Sequence, residues 1–328
     1  MGGSNGSYPE AVARASRASR TTPQEVAGVP LPGRRSELAV VTCLRVAWLL
    51  LPVALGPAVA DALHDVSTGP RSVASVALWA LWAIGLTATL VPLPATLTAL
   101  RLAAPAVAIA AVWSGPAADA AITTVTGLLM ATFVAVAAFS APVADRFVDG
   151  ASYGDERRFQ LRAPGPVVLV LGPAATVVAI GGLALGPVLL LDGRWLAGAV
   201  AACLGLPAAG LATRALHRLS RRWIVLVPAG FVLHDHLALA EPTLLQRSGL
   251  FRIRAAPANT DALDLTQQAR GLALEVMCRE PHDVLPACRG RSAGSGAVEV
   301  RSMDAFLCSP VRPDVVLAAA DRRLLPVG

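Results

Sequence analysis

Apolar positions along this chain follow two rhythms. Between Arg45 and Thr213 they form long unbroken runs, and after Thr213 they come in bursts of four to six residues separated by turn signals. The runs predict spans at about 46–63, 73–92, 97–114, 119–140, 167–190 and 195–213. Each approaches the roughly 17–25 residues a helix needs to cross about 30 Å of hydrocarbon. The third is interrupted by Arg101 and Pro105. Arg101 stands near enough to one end for its guanidinium to reach the headgroups.

The second rhythm predicts strands at Trp223–Val227, Phe231–His234, Gly249–Ile253, Ala262–Thr266, Leu272–Met277, Val298–Arg301 and Ala305–Cys308. Turns are marked by Pro228-Ala-Gly230, Glu241-Pro242 and Ala256-Pro257, and 289–296 reads as a Gly/Ser/Arg loop. A closing helix is expected from Pro313 to Arg323, with Pro and Asp314 in its first turn and Arg at its end, as the helix dipole favours.

Composition agrees with a membrane location. The 328 residues are 55% hydrophobic and 15% charged, against about 25% charged in a soluble domain. Every basic residue is Arg and the net charge is +6. With Ala, Val, Gly and Pro abundant, the Arg usage reads as codon bias of a G+C-rich genome. The arginines cluster beside the spans, so topology explains them better than nucleic-acid binding does. Fifteen of them flank the spans on one side, and only Arg71 and Arg194 lie in the opposite loops. That bias places both termini in the cytoplasm of a multi-pass plasma-membrane protein. It also supports the third span, because dropping it would scatter the arginines. Residues 1–37 lack apolar periodicity and read as a disordered tail without a secretory signal.

The predicted architecture is therefore a membrane all-α bundle of about six transmembrane helices over 38–213. A small cytoplasmic β-barrel with a C-terminal helix follows over 214–328. Its opening Trp223-Ile-Val-Leu-Val-Pro-Ala-Gly230-Phe-Val-Leu and its ending Asp304-Ala-Phe-Leu-Cys-Ser309-Pro-Val-Arg312-Pro313-Asp314 resemble the bacterial pleckstrin-homology-like domains attached to membrane spans. In layout, residues 38–328 are similar to uncharacterised polytopic membrane proteins of high-G+C Gram-positive bacteria. The resemblance implies a binding module and no invariant catalytic set.

Four arginines at helical spacing, Arg214, Arg218, Arg221 and Arg222, form a candidate surface for anionic headgroups. A polar group at the outer helix ends, Asp61, His64, Asp65 and Asp119, is the candidate ion or proton site, and marking the edge of the lipid is its blander reading. His234-Asp235-His236 would put two imidazoles on one strand face, but Cys278, His282 and Cys288 supply no zinc spacing. Asp149, Asp155 and Glu156 read as a solvated loop, and Gly182-x-x-x-Gly186 as a small-residue packing motif. No nucleophile elbow, phosphate loop or dinucleotide fingerprint occurs, so neither cofactor nor metal is expected. The function expected is non-enzymatic binding, regulation or scaffolding at the membrane surface, with the bilayer and an unidentified protein as partners. Transport of an ion or small molecule is the alternative, and a membrane-bound enzyme of lipid or envelope metabolism a third.

Overall fold

The computed structural model describes residues 33–118, 120–287 and 300–328. Residues 1–32 of the expected tail and the Gly/Ser/Arg loop lie outside the described residues, whereas 34–37, expected in the tail, form the first turn of a helix and bury Glu37. Among the described residues, six helices are long and apolar enough to cross a membrane. They are α1 (Arg34–Ala62), α2 (Thr68–Leu90), α3 (Pro94–Ser114), α4 (Ala121–Ala138), α6 (Gly172–Leu191, entered through a π-helical turn at Val167–Leu171) and α7 (Trp195–Leu219). A short helix, α5 (Ala141–Asp149), follows α4. The doubtful third span is one continuous helix despite Arg101 and Pro105.

The helices α1, α3, α4 and α5 share one core, closed by α2. Trp48 of α1 is fully buried, and its indole occupies the space a Cβ at Gly85 of α2 would need. Trp48 Nε1 donates to Trp82 O at 2.8 Å, and Trp82 Nε1 donates back to Trp48 O at 2.9 Å. Two large rings are thereby seated with both polar groups satisfied, which an apolar surrounding demands. The pair α6–α7 is different. It packs on itself and meets the other helices mainly through α3. A Cβ on Gly182 would stand 2.4 Å from Gly205 O, and one on Gly186 2.8 Å from Ala202 Cβ. The Gly182-x-x-x-Gly186 motif therefore holds the hairpin's own contact, as small residues do where backbones approach in lipid.

Among the described residues the C-terminal region is two four-stranded sheets with a helix, which close no barrel. The first sheet has the order β1-β2-β3-β4, the second β5-β7-β8-β6. Strand β1 (Arg157–Gln160) comes from the connection between the fourth and fifth spans. It pairs antiparallel with β2 (Trp223–Val227), Phe159 opposite Ile224. The remaining strands are β3 (Gly230–His234), β4 (Thr243–Gln246), β5 (Leu250–Ala255), β6 (Leu263–Asp264), β7 (Leu274–Val284) and β8 (Arg301–Cys308). Helix α8 (Pro313–Arg322) packs Val315, Val316, Ala319 and Ala320 into a core shared by both sheets. Phe159, 1% exposed, belongs to that core. The boundary expected at 213/214 is therefore interleaved: the β unit takes one edge strand from inside the helical region.

Candidate functional site: the junction of bundle and β unit

The polar chemistry of the described residues concentrates where β1 is stitched in. Leu161 N donates to Arg222 O, Arg162 N to Ser309 O, and Val311 N to Gln160 O, at 3.0, 2.8 and 2.9 Å. One short segment thus ties the end of α7 to the chain entering α8. Arginines stand on both sides of it, in opposite circumstances.

On one side they meet acids. Glu37, in the first turn of α1, is fully buried. Its Oε1 accepts from Arg157 Nη2 at 2.8 Å and from Arg312 Nη1 at 3.2 Å. Asp145 of α5 accepts from Gln160 N at 3.1 Å and has Oδ2 4.0 Å from Arg312 Nη1. This group explains why α1 begins some three turns before the apolar run: Glu37 needs the helix to reach its partners. Glu37 Oε2, Asp145 Oδ2 and Arg157 Nε and Nη1 have no hydrogen-bond partner among the described residues. Burial pushes the Asp145 carboxyl up to about 7. The Gln160 N–H opposes that rise, Glu37 adds to it, and Arg312 and Arg157 oppose it.

On the other side the arginines meet a cavity of about 770 Å³. It is lined by α3 (Thr98, Arg101, Leu102, Pro105), the start of α6 (Val167 to Val177), the end of α7 (Leu216, Leu219, Ser220) and the β-unit residues Gln160, Arg162, Arg270 and Val311. Arg101 Nη2 donates to Gln160 Oε1 at 3.3 Å, and its guanidinium lies 5.6 Å from the Phe139 ring centroid. It points into the protein junction and not freely into headgroups. Arg162 donates to Pro310 O, Arg270 O and Val311 O at 3.0–3.2 Å. No Asp or Glu lines the cavity, and none makes an ion pair with Arg101, Arg162 or Arg270 among the described residues. At the floor, Thr98 Oγ1 lies 3.1 Å from His217 Nδ1 and 3.3 Å from Ser220 Oγ. A smaller apolar cleft of about 250 Å³, between α1, α2 and α3, has Trp79 and Trp82 on its wall.

The residues singled out by sequence are placed as follows. Arg214, Arg218 and Arg221 are exposed. Arg222 is not part of that surface. It is 1% exposed and gives a two-pronged hydrogen bond to Asp235, Nε to Oδ1 at 2.7 Å and Nη2 to Oδ2 at 2.6 Å. The reason is local: α7 stops at Leu219, so the helical spacing that aligned the four arginines no longer holds at position 222. Asp235 is thereby committed to Arg222, and His234 stacks on Trp223 with ring centroids 4.8 Å apart. Burial and the cations Arg221 and Arg158 hold the His234 imidazole below its ordinary pKa. No group of three or more His, Cys, Asp or Glu converges on a metal position among the described residues.

His64 and Asp65 hydrogen-bond each other at 3.1 Å with side chains 83% and 100% exposed. Neither lines the two cavities above, Asp61 is half-buried, and Asp119 lies outside the described residues. Asp149 and Glu156 are turn formers. Asp149 Oδ1 accepts from Arg158 N and Ser152 Oγ, and Glu156 Oε1 from Tyr153 N and Arg158 Nη2. Asp155 faces Arg323 near the end of α8 at 3.5 Å. Sequence reasoning missed Glu37, Asp145, Arg157, Arg162 and Arg312 as a functional region. An acid at position 37 and another at 145, each next to an apolar run, were the available signals.

The fold and site define a class, a helical protein with six helices of membrane-crossing length and apolarity among the described residues and a β unit threaded into them. Comparison with protein-family models, curated proteins and solved structures returns no match, so the site itself carries the functional reading.

Proposed function

We propose that the protein is a plasma-membrane binding and regulatory protein, not an enzyme, whose β unit works at the cytoplasmic face as one mechanical body with the helices. The observation that carries this reading is β1. A strand tethered between the fourth and fifth spans forms the edge of the first sheet, and its Arg157 is paired with Glu37 of α1. A ligand or partner that displaces the β unit must then displace α1 and α5 as well, which is the physical content of coupling between sites. The exposed Arg214, Arg218 and Arg221 support contact with an anionic leaflet, each worth on the order of 1 kcal/mol there. The one-sided distribution of arginines supports cytoplasmic termini. The pleckstrin-like likeness rests on the sequence of the opening hairpin and of the last strand into its helix; the open sheets, the borrowed first strand and the parallel β6–β8 pair depart from a closed meander barrel.

Hydrogen exchange on the full chain in detergent tests the coupling. Arg157→Ala is expected to speed exchange both in the first turns of α1 and in β2. Faster exchange in β2 with α1 unchanged would mean two independent units and would end the proposal.

A further inference from the structure

We infer that the cavity at the junction binds the headgroup of an anionic membrane lipid, with the Arg101 and Arg270 guanidiniums receiving the phosphate. The inference rests on the coupled reading for the cavity's position and adds the ligand's chemical class.

Three observations point to this occupant. Among the described residues the cavity is bordered by cations without a carboxylate to offset them, whereas nearby Arg157, Arg222 and Arg312 all have one. Guanidinium forks match phosphate oxygens in geometry and charge. The cavity sits where α3, α6 and α7 meet the β unit, at the depth of headgroups if these helices span a bilayer. Its side wall includes Val168 and Leu169, 57% and 60% exposed on the surface a membrane would cover. A soluble anion needs no such apolar flank; an acyl chain does. The wall begins at the π-helical turn Val167–Leu171, a local irregularity of the kind often found at binding sites. A volume of about 770 Å³ accommodates a glycerophosphate headgroup.

The test uses the purified full chain and titrates phosphatidylglycerol, phosphatidylcholine or inorganic phosphate, with binding read by native mass spectrometry. Wild type is expected to bind phosphatidylglycerol at least about tenfold more tightly than phosphatidylcholine, and inorganic phosphate should not compete. Arg101→Gln and Arg270→Gln should each remove most of that preference, and Val168→Trp should weaken both lipids by obstructing the apolar flank. Arg301→Gln, an exposed cation of β8 outside the cavity and away from the Arg214–Arg221 stripe, should leave the preference intact. If Arg101→Gln fails to fold, the exposed Arg270 keeps the test open. Equal binding of the two lipids, or equal loss in Arg301→Gln, overturns the inference. Displacement by inorganic phosphate reassigns the site to a soluble anion and overturns the lipid source. Failure here with exchange still coupled between α1 and β2 would leave the regulatory reading standing.

Discussion

Two sets of arginines stand on either side of Gln160, and they are arranged in opposite ways. Arg157 and Arg312 face Glu37 and Asp145 in a group of which all but the partly exposed Arg312 is buried from solvent. Arg101, Arg162 and Arg270 border a large cavity that no carboxylate of the described residues lines. Residue type is the same in both; only the surroundings differ. A buried guanidinium with a carboxylate is spoken for and holds structure together. One that is offset only by carbonyl dipoles, an amide and an aromatic face retains charge to offer a ligand. The comparison separates a structural latch from a receptive site within one junction.

Taking the latch away wholesale should have the largest effect. Fragment 214–328 lacks β1 and so leaves β2 as an unpaired edge with the place of Phe159 empty. It is expected to show no cooperative unfolding by circular dichroism, and co-expression with 141–163 should restore one. A cooperative transition from the fragment alone would show β1 to be dispensable. Next in size is Arg157→Ala in the full chain. Removing one partner of a buried ion pair costs about 3–5 kcal/mol, and Arg312, 3.2 Å from Glu37, offsets part of that loss here. The Tm in detergent should fall accordingly, and the double replacement Glu37→Gln with Arg157→Met should recover much of the loss.

A smaller and pH-dependent effect belongs to Asp145. Its folded pKa, raised to about 7, lies above that of the unfolded chain. The folded state therefore holds a proton that the unfolded state has released, and this contribution is fully present below about pH 4 and fades as pH rises to about 7. The groups facing it are Glu37 of α1, Arg157 and Gln160 of β1, and Arg312 before α8. Asp145→Asn should flatten this part of the Tm profile between about pH 4 and 7. An unchanged profile would place the proton elsewhere. On the cavity side, Arg101→Gln should cost under about 1 kcal/mol in lipid-free detergent, since it removes hydrogen bonds to Gln160 and Ala138 but strands no charge. Arg221→Gln, at the surface, should change Tm by no more than about 0.5 kcal/mol equivalent.

How much of this the sequence shows depends on which physical signal each element carries. The spans are legible because hydropathy over some twenty residues is a strong, local signal, and the six helices fall within a few residues of the apolar runs apart from extensions at the first and last. β2 and α8 are legible for the same reason of pattern, with apolar residues on a period and turn chemistry at the ends. β1 is not: Arg-Arg-Phe-Gln carries one apolar residue, and it becomes a strand through β2 and through Glu37, both distant in the chain. β4 is hidden similarly, with Leu244 and Leu245 adjacent and so facing opposite sides. The site was the least legible part. Arg222 carries the spacing of a surface stripe yet is buried on Asp235, and Arg101 reads as a snorkelling residue yet turns toward Gln160. Charge partners far apart in sequence decide both, and local spacing does not encode them.

The contrast between the two arginine sets is tested most directly by thermal unfolding of wild type, Arg157→Ala and Arg101→Gln, each with and without phosphatidylglycerol. A ligand that binds only the folded state raises Tm by mass action. Arg157→Ala should start well below wild type and still gain a comparable shift from the lipid. Arg101→Gln should start near wild type and gain almost none. The same lipid shift in wild type and Arg101→Gln would contradict the account.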